Sequence, residues 1–520
     1  MLFSERFKIT PAEGDEWFDV ILSIDTTLFL DPFLIYAGER GHFVGSHEEV
    51  INFFDAVFKL LATSSGDEAL VRYQKALNNL EFPEVEELCL GYTSEGTDGL
   101  GSGPKIATLI AEGLMEAIGA GLREITHFEE IGIIRENIGP DRIGDVTAGL
   151  LRWRLAAFTQ DVCKQHSIPT RVFRHPRGRY DRERGLWVPL TMLLPENPSN
   201  GKGILLAPRR YLRALPTINA DDFWDYCYTN ENAALRAEFS YDITSNVNKT
   251  EIVDLARRRP DLLQKYLNDV EQHDPRPYDL NRDSQGLVTW YKPTQEYCSR
   301  HPIKLDSRSK AALSKFVDVM LERFAHFVEQ EDGWRLLWDG GTRKNEPAAQ
   351  HLLLGIIKHY CHANEVAISS ESLLGKGVVT LSTSETESVR TLLELKLAVN
   401  ARFWNALDKE APTNKKAEGT ELARLVAVTF TEADEDRLKD IKAIVGKLNT
   451  SYSMKLFSVD ASSDDVSAMA GPHIIQFVAK DNAVIHAGDN SVHIEGNVTG
   501  SAIGPGASVQ ANDIIGSLGI

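Results

Sequence analysis

The stretch from Ser388 to Asn400, SVRTLLELKLAVN, constrains this chain more than any other. Leu392, Leu393, Leu395 and Leu397 make Val389–Leu397 read as a buried strand, interrupted by two charges, Glu394 and Lys396. Strand side chains alternate between faces, so residues two apart point the same way. A carboxylate and an ammonium side by side on an otherwise apolar strand are costly to bury unless they are paired or used. The rest of the chain must therefore supply these two groups with partners or a task.

The 520 residues are enough for about two to four domains with a large core. Hydrophobic residues are 42% and charged residues 25%, a balance ordinary for globular proteins. The opening Met1-Leu2-Phe3-Ser4-Glu5-Arg6 lacks the basic start and apolar run of a signal peptide. The apolar text from Leu28 to Tyr36 is broken by Asp31 and Pro32 and is too short to span a bilayer, so no membrane partner is expected. Cys89, Cys163, Cys227, Cys298 and Cys361 are scattered and odd in number, which points to reduced thiols and a cytoplasmic location. A net charge of -19 argues against non-specific coating of nucleic acid. It leaves room for a local basic groove, because binding follows local potential.

Trp17–Ile24 and Thr26–Ile35 read as strands punctuated by Asp25 and Asp31-Pro32, and Glu48–Ala62 as an amphipathic helix. Asp19, Asp25 and Asp31, six apart, read as turn and edge acids, with a metal cluster as the alternative. The glycine-rich text over residues 89–107 invites a phosphate-loop reading, because amides at a helix start bind anions. It lacks the pattern: Pro104 precedes Lys105, and Ile106 stands where Ser or Thr would hold magnesium. Asp145 is expected to cap a helix over Val146–His166, which leaves Asp141 and Arg142 without a role; the alternative is an acid-and-arginine site at a loop-helix junction.

The strongest basic run is RVFRHPRGRYDRER. Arg171, Arg174, Arg177, Arg179, Arg182 and Arg184 alternate with Phe173, His175 and Tyr180. Arginine forks fit phosphate and aromatic rings stack on bases, so these arginines are candidate nucleic-acid contacts. The alternative is a solvated hairpin whose arginines pair with the surplus acids. Arg209, Arg210 and Arg213 form a second cluster after an apolar strand over Ile204–Pro208. Residues 232–281 read as a polar helical layer, Asp306–Glu331 as a long amphipathic helix and Trp334–Trp338 as a closing strand.

The order then becomes regular: a helix over Glu346–Ala363, a strand over Gly375–Ser382 and the Glu394-x-Lys396 strand. A helix over Phe403–Leu407, a strand over Leu425–Phe430, a helix over Glu432–Leu448 and a strand over Met454–Val459 follow. This is an α/β sandwich order. With the E-x-K strand inside it, the segment resembles the PD-(D/E)XK restriction-endonuclease-like superfamily over about 120 residues, from Glu346 to roughly Ala468. The resemblance implies that Glu394 and Lys396 are catalytic, with Glu346 and Glu394 as ligands for Mg2+ or Mn2+. It also implies an acid on the preceding strand. Here that place falls on Thr380, which cannot supply an anionic ligand, and Glu385 or Glu387 in the following turn would have to substitute. Glu410 and Asn414 stand where relatives carry Gln and Tyr. His359, Cys361 and His362 share no helix face well and read as a helix-end polar cluster rather than a zinc site.

After residue 469 short apolar pairs recur between Gly, Asn and Asp: Val484/Ile485, Val492/Ile494, Val498, Ile503 and Val509. They suggest a small β repeat whose edges dock or oligomerise. The expected fold class is α/β multidomain. An N-terminal α/β domain covers 1–230 and a helical connecting region 231–338. A nuclease-like domain covers 339–468 and a β-repeat tail 469–520. The function this implies is a DNA-directed, metal-dependent nuclease in bacterial defence against foreign DNA. The alternatives are a degenerate relative that binds nucleic acid or assembles, and an oligomeric sensor that touches no nucleic acid.

Overall fold

A computed structural model of the chain describes residues 1–23, 25–64, 71–83, 85–91, 102–119, 126–136, 138–231, 235 and 249–370. It further describes 376–383, 388–405, 407, 422–449, 454–462, 484–488, 491–495 and 508–511.

The N-terminal part is mostly helical. Its main elements are α1 (Ser46–Ser64), α2 (Val71–Leu80), α3 (Ser102–Gly119), α4 (Pro140–Leu150) and α5 (Arg152–Gln165). α4 and α5 pack against a long hairpin of β1 (Arg171–Asp181) and β2 (Leu186–Leu194). On α1, Val50, Phe53, Phe54, Val57 and Leu61 are buried at helical spacing. The hairpin shifts register between His175 and Arg179. Gly178 lies in that irregularity because a Cβ there would stand 2.2 Å from the Leu190 Cβ. The two early strands expected from the sequence reduce to Phe29–Leu30, paired with Leu212–Arg213. Asp31 and Pro32 begin a short helix instead: the Asp31 carboxylate accepts from the Phe33 amide at 3.2 Å, and Pro32 takes the first turn.

A second layer comprises α6 (Ala220–Asn230), α7 (Lys249–Arg258) and α8 (Pro260–Gln272). Phe223, Leu255, Leu263 and Tyr266 of these helices share one core with Phe33, Ile133 and Ile134 of the N-terminal part.

The C-terminal part holds α9 (Tyr291–Arg300), α10 (Lys310–Gln330), α11 (Glu346–Ala363), β3 (Ala367–Ser370), β4 (Lys376–Ser382) and β5 (Ser388–Leu397). It continues with β6 (Leu422–Thr429), α12 (Glu432–Asn449) and β7 (Met454–Asp460). The five strands form one mixed sheet in the order β7-β6-β5-β4-β3. β3, β4 and β5 run antiparallel, whereas β5, β6 and β7 run parallel. Leu393, Leu395, Val426 and Val428 share a core with Phe316, Met320 and Phe324 of α10 and Leu353 of α11. The long helix at 310–330 is therefore part of the sheet's core. Leu392, Leu425 and Ala427 share a core with Trp404, Ile441 and Val445. At Gly355 a Cβ would lie 2.6 Å from the Thr294 hydroxyl and 2.7 Å from the Trp290 ring, so glycine sets the close approach of α11 to α9.

The two halves also touch. Leu2 and Ile21 join the C-terminal core. The His351 Nδ1 lies 2.8 Å from the Pro347 carbonyl, which can only accept. Nδ1 therefore carries the proton and Nε2 accepts from the Thr27 hydroxyl at 3.0 Å. Burial pushes His351 down to about 4, so this ring is neutral. Trp334 belongs to a 3-10 turn over Gly333–Leu337 rather than to a strand. In the tail, β8 (Val484–Gly488), β9 (Ser491–Glu495) and β10 (Ser508–Ala511) form a three-stranded sheet. No described helix is long and apolar enough to cross a membrane.

Candidate functional site

Pro347 in the first turn of α11 and the Lys344 amide, which donates to the Leu337 carbonyl at 2.8 Å, fix where that helix begins. The start carries Glu346, whose negative charge is favourable in a first helical turn. Its carboxylate meets the Lys396 ammonium. It also accepts from Gln350 Nε2 at 3.1 Å, and from the Leu397 amide and Asn400 Nδ2 at 3.4 Å each. Gln350 reaches on to the Leu395 carbonyl at 3.3 Å. Lys396 is buried, with its ammonium 5.3 Å from the Phe403 ring centre. The two charges expected to need partners or a task thus have different surroundings: Lys396 is held by Glu346, and Glu394 is half-buried. Burial also lowers the neighbouring Lys344 below the ordinary lysine range, against the pull of Asp283 and Asp339.

Strand register changes the reading of the missing acid. Thr380 pairs with Arg390, four positions and about 13 Å along the strand from Glu394. The residue opposite Glu394 on β4 is Lys376. Across β6 the opposite residue is Leu425. Lysine cannot supply an anionic ligand. Glu385, Glu387, Glu410 and Asn414 lie outside the described residues. The chain between β4 and β5 leaves at Ser382 and returns at Ser388, six positions and about 20 Å from Glu394.

Among the described residues no three His, Cys, Asp or Glu side chains gather as a metal site. A magnesium or manganese ion needs hard, largely unengaged oxygens. Here Glu346 is already taken by Lys396, Gln350 and Asn400, and a lysine stands at the register position where a second acid is needed. The described donor set does not fit the divalent ion.

Other candidate acids have structural partners. Asp19 accepts from the Ser4 amide at 2.8 Å and the Ser4 hydroxyl at 2.6 Å, and burial raises its carboxyl. Asp31 accepts from the Thr217 hydroxyl, and burial pushes it up to about 6. Asp145 is not a cap: α4 starts at Pro140, and Asp145 lies 3.6 Å from Arg142 one turn in. The Tyr291 ring lies 5.1 Å from the half-buried His359 ring, and burial pushes the Cys361 thiol up to about 12.

The six arginines separate into two sets. Arg177 donates to Asn78 Oδ1 at 2.8 Å and lies 5.4 Å from the Trp187 ring centre, so it belongs to the packing of the hairpin. Arg179 rests 4.8 Å from the Trp153 ring centre. Arg171, Arg174, Arg182 and Arg184 point outward. Three of these face acids: Arg171 faces Glu196 at 2.5 Å, Arg182 faces Glu48 at 3.9 Å and Arg184 faces Asp181 at 3.6 Å. Exposed pairs of this kind contribute about 0–1 kcal/mol and yield to a competing phosphate. Arg174 has no acidic partner among the described residues.

Two residues of this region carry a signal the sequence reading passed over. Trp153 stands between two arginines on a helix, and Glu49 accepts from both the Trp153 indole and Arg154 Nε at 2.8 Å.

Residues 8–219 match a family model described as a domain of unknown function (DUF8370), and residues 313–432 match another described as a domain of unknown function (DUF8371). The second match begins inside α10, in line with that helix's place in the core of the sheet. Neither a curated protein nor a solved structure matches the chain.

Proposed function

We propose that the C-terminal module is a PD-(D/E)XK-like fold that has lost cleavage, in a protein that binds nucleic acid without cutting it. The observation that carries this reading is the pairing of Glu346 on the first helix with Lys396 on the central E-x-K strand. The helix, strand, strand, strand, strand, helix, strand order from α11 to β7 supports the same kinship. The lysine opposite Glu394 supports loss of cleavage rather than its retention. Outward arginines on the β1–β2 hairpin supply the contact surface for DNA or another nucleic acid. A role in bacterial antiviral defence, in the cytoplasm, rests on the resemblance alone. Self-association is also part of the reading, since β8 and β10 are the outer strands of the tail sheet and outer strands pair readily.

Plasmid nicking with magnesium or manganese, read beside DNA retention at low salt, tests the proposal. The expected result is retention without nicking, and nicking gained in Lys376→Asp. Nicking by the native chain that disappears in Glu394→Ala would establish an active magnesium- or manganese-dependent nuclease instead. Absence of retention at low salt would remove nucleic acid from the account and leave an assembly or sensor protein.

A further inference from the structure

A cleft of about 500 Å3 lies between the start of α1 and the tip of the β1–β2 hairpin. That is the size range of small-molecule sites. Its floor is apolar where the half-buried Val188 meets the buried Phe53 and Tyr180, which pack edge to face at 4.7 Å, and its lining also includes the carboxylates of Glu48, Glu49, Asp181 and Glu183. Such a surface accepts a flat ring.

The rim carries a prepared cation. The Arg179 guanidinium lies 4.8 Å from the Trp153 ring centre, and the Arg154 guanidinium lies 4.5 Å from the same centre. Arg154 is engaged through Nε and Nη1, donating to Glu49 at 2.8 Å and to the carbonyls of His42 and Val44 at 2.7 Å each. It holds Trp153 in place, and Trp153 in turn orients Arg179. Arg179 is exposed and has no carboxylate partner among the described residues, so its forked donors are available to an anion. Arg182 lines the same rim, held only by the exposed 3.9 Å contact with Glu48. One turn along α1, Asn52 donates to Glu48 at 3.3 Å, leaving amide and carboxylate oxygens to accept from a ring amino group.

We infer that this cleft binds a nucleoside phosphate. The base would lie against Phe53, Tyr180 and Val188, the base edge would face Asn52 and Glu48, and the phosphate would sit between Arg179 and Arg182. The same chemistry describes a free nucleotide and one unit of a nucleic-acid strand. The inference stands apart from the nuclease-like reading of the C-terminal module, and its strand form rests on the nucleic-acid reading of the hairpin.

Calorimetric titration of the full chain with the four nucleoside 5′-monophosphates, adenosine, inorganic phosphate and a short single-stranded oligonucleotide tests it. At least one monophosphate is expected to bind saturably at one site per chain. Adenosine and phosphate alone should bind about tenfold or more weaker, and Arg179→Ala should weaken the nucleotide about tenfold, the scale of one charge-assisted hydrogen bond. Arg179→Lys should recover only part of this loss, and Arg171→Ala, outside the cleft, none should be lost. If Arg179→Ala fails to fold, Arg182→Ala reads the phosphate contact and Asn52→Ala the base contact. Competition by the oligonucleotide identifies a strand as the source, and absence of competition identifies a free nucleotide. Saturable binding by no nucleotide or oligonucleotide, or binding indifferent to Arg179→Ala, overturns the inference. DNA retention without mononucleotide binding sinks the cleft and spares the proposed function. Mononucleotide binding without DNA retention does the reverse.

Discussion

Arg424 has no exposed surface at the centre of the C-terminal sheet, whereas Arg179 lies exposed on the N-terminal hairpin. Arg424 donates to Asp318 Oδ1, Thr391 Oγ1 and the Ser314 carbonyl at 2.7 Å each, and to the Ser314 hydroxyl at 2.8 Å. Arg179 rests on a tryptophan and keeps its donors open. Lys396 belongs with Arg424: buried, and held by Glu346. An interior cation must be saturated, because an unpaired charge in a low-dielectric surrounding is prohibitively costly. A cation with spare donors can exist only where water covers them. The comparison teaches that strong hydrogen bonding marks the charges that hold this fold, and spare capacity marks those free to bind.

The sharpest way to break the comparison is to remove the interior cation. Arg424→Met leaves Asp318 with Lys455 as its remaining cation, and should cost the C-terminal module about 3–5 kcal/mol in denaturant unfolding. A loss below about 1 kcal/mol would mean that the network is incidental.

A buried carboxyl sharpens the same point through pH. Burial pushes Asp31 up to about 6, above its unfolded value, so the native state holds the proton more tightly than the unfolded chain. Stability from this group is full below about pH 4 and is lost as pH rises to about 6, by roughly 3 kcal/mol. Glu130, pushed up to about 7 mainly by burial, extends the decline toward neutral pH. Asp31→Asn should flatten the segment between about pH 4 and 6. Identical pH profiles of native and variant protein would show that Asp31 titrates as it does when unfolded.

The smallest stability effect belongs to the exposed set. Arg171→Ala, Arg174→Ala and Arg184→Ala should each change stability by less than about 0.5 kcal/mol. Together they should weaken DNA retention and make its dependence on salt shallower. A large drop in melting temperature with retention unchanged would move these arginines into the structural class.

Much of the element order of the C-terminal module was legible from residue text, because leucines at period two and helices at period 3.6 are local signals, but the strand β3 and the place of α10 in the sheet's core were not. The N-terminal strands were not. Asp31-Pro32 reads equally well as punctuation between strands and as a cap with proline in the first turn, and only the Phe33 amide bonded to Asp31 separates the two. Arg142 and Asp145 show the same limit: the charge pair is visible in the text, but the helix begins at Pro140, well before the start at Val146 that a cap at Asp145 suggests. The Arg179 site was half legible. The arginine run stood out, but its supporting Trp153 lies on another element and carries no pattern linking it to the hairpin.

Residue order alone settled that Glu394 and Lys396 share a strand face, since the alternation of side chains is a property of any extended chain. It could not settle who meets them. Glu346 reaches Lys396 across fifty residues because the start of α11 lies against the end of β5. Lys376 rather than Thr380 stands opposite Glu394 because the pairing of β4 with β5 sets the register. Register depends on where two strands meet in space, and shifting it by four residues leaves each strand's own pattern of buried and exposed positions unchanged.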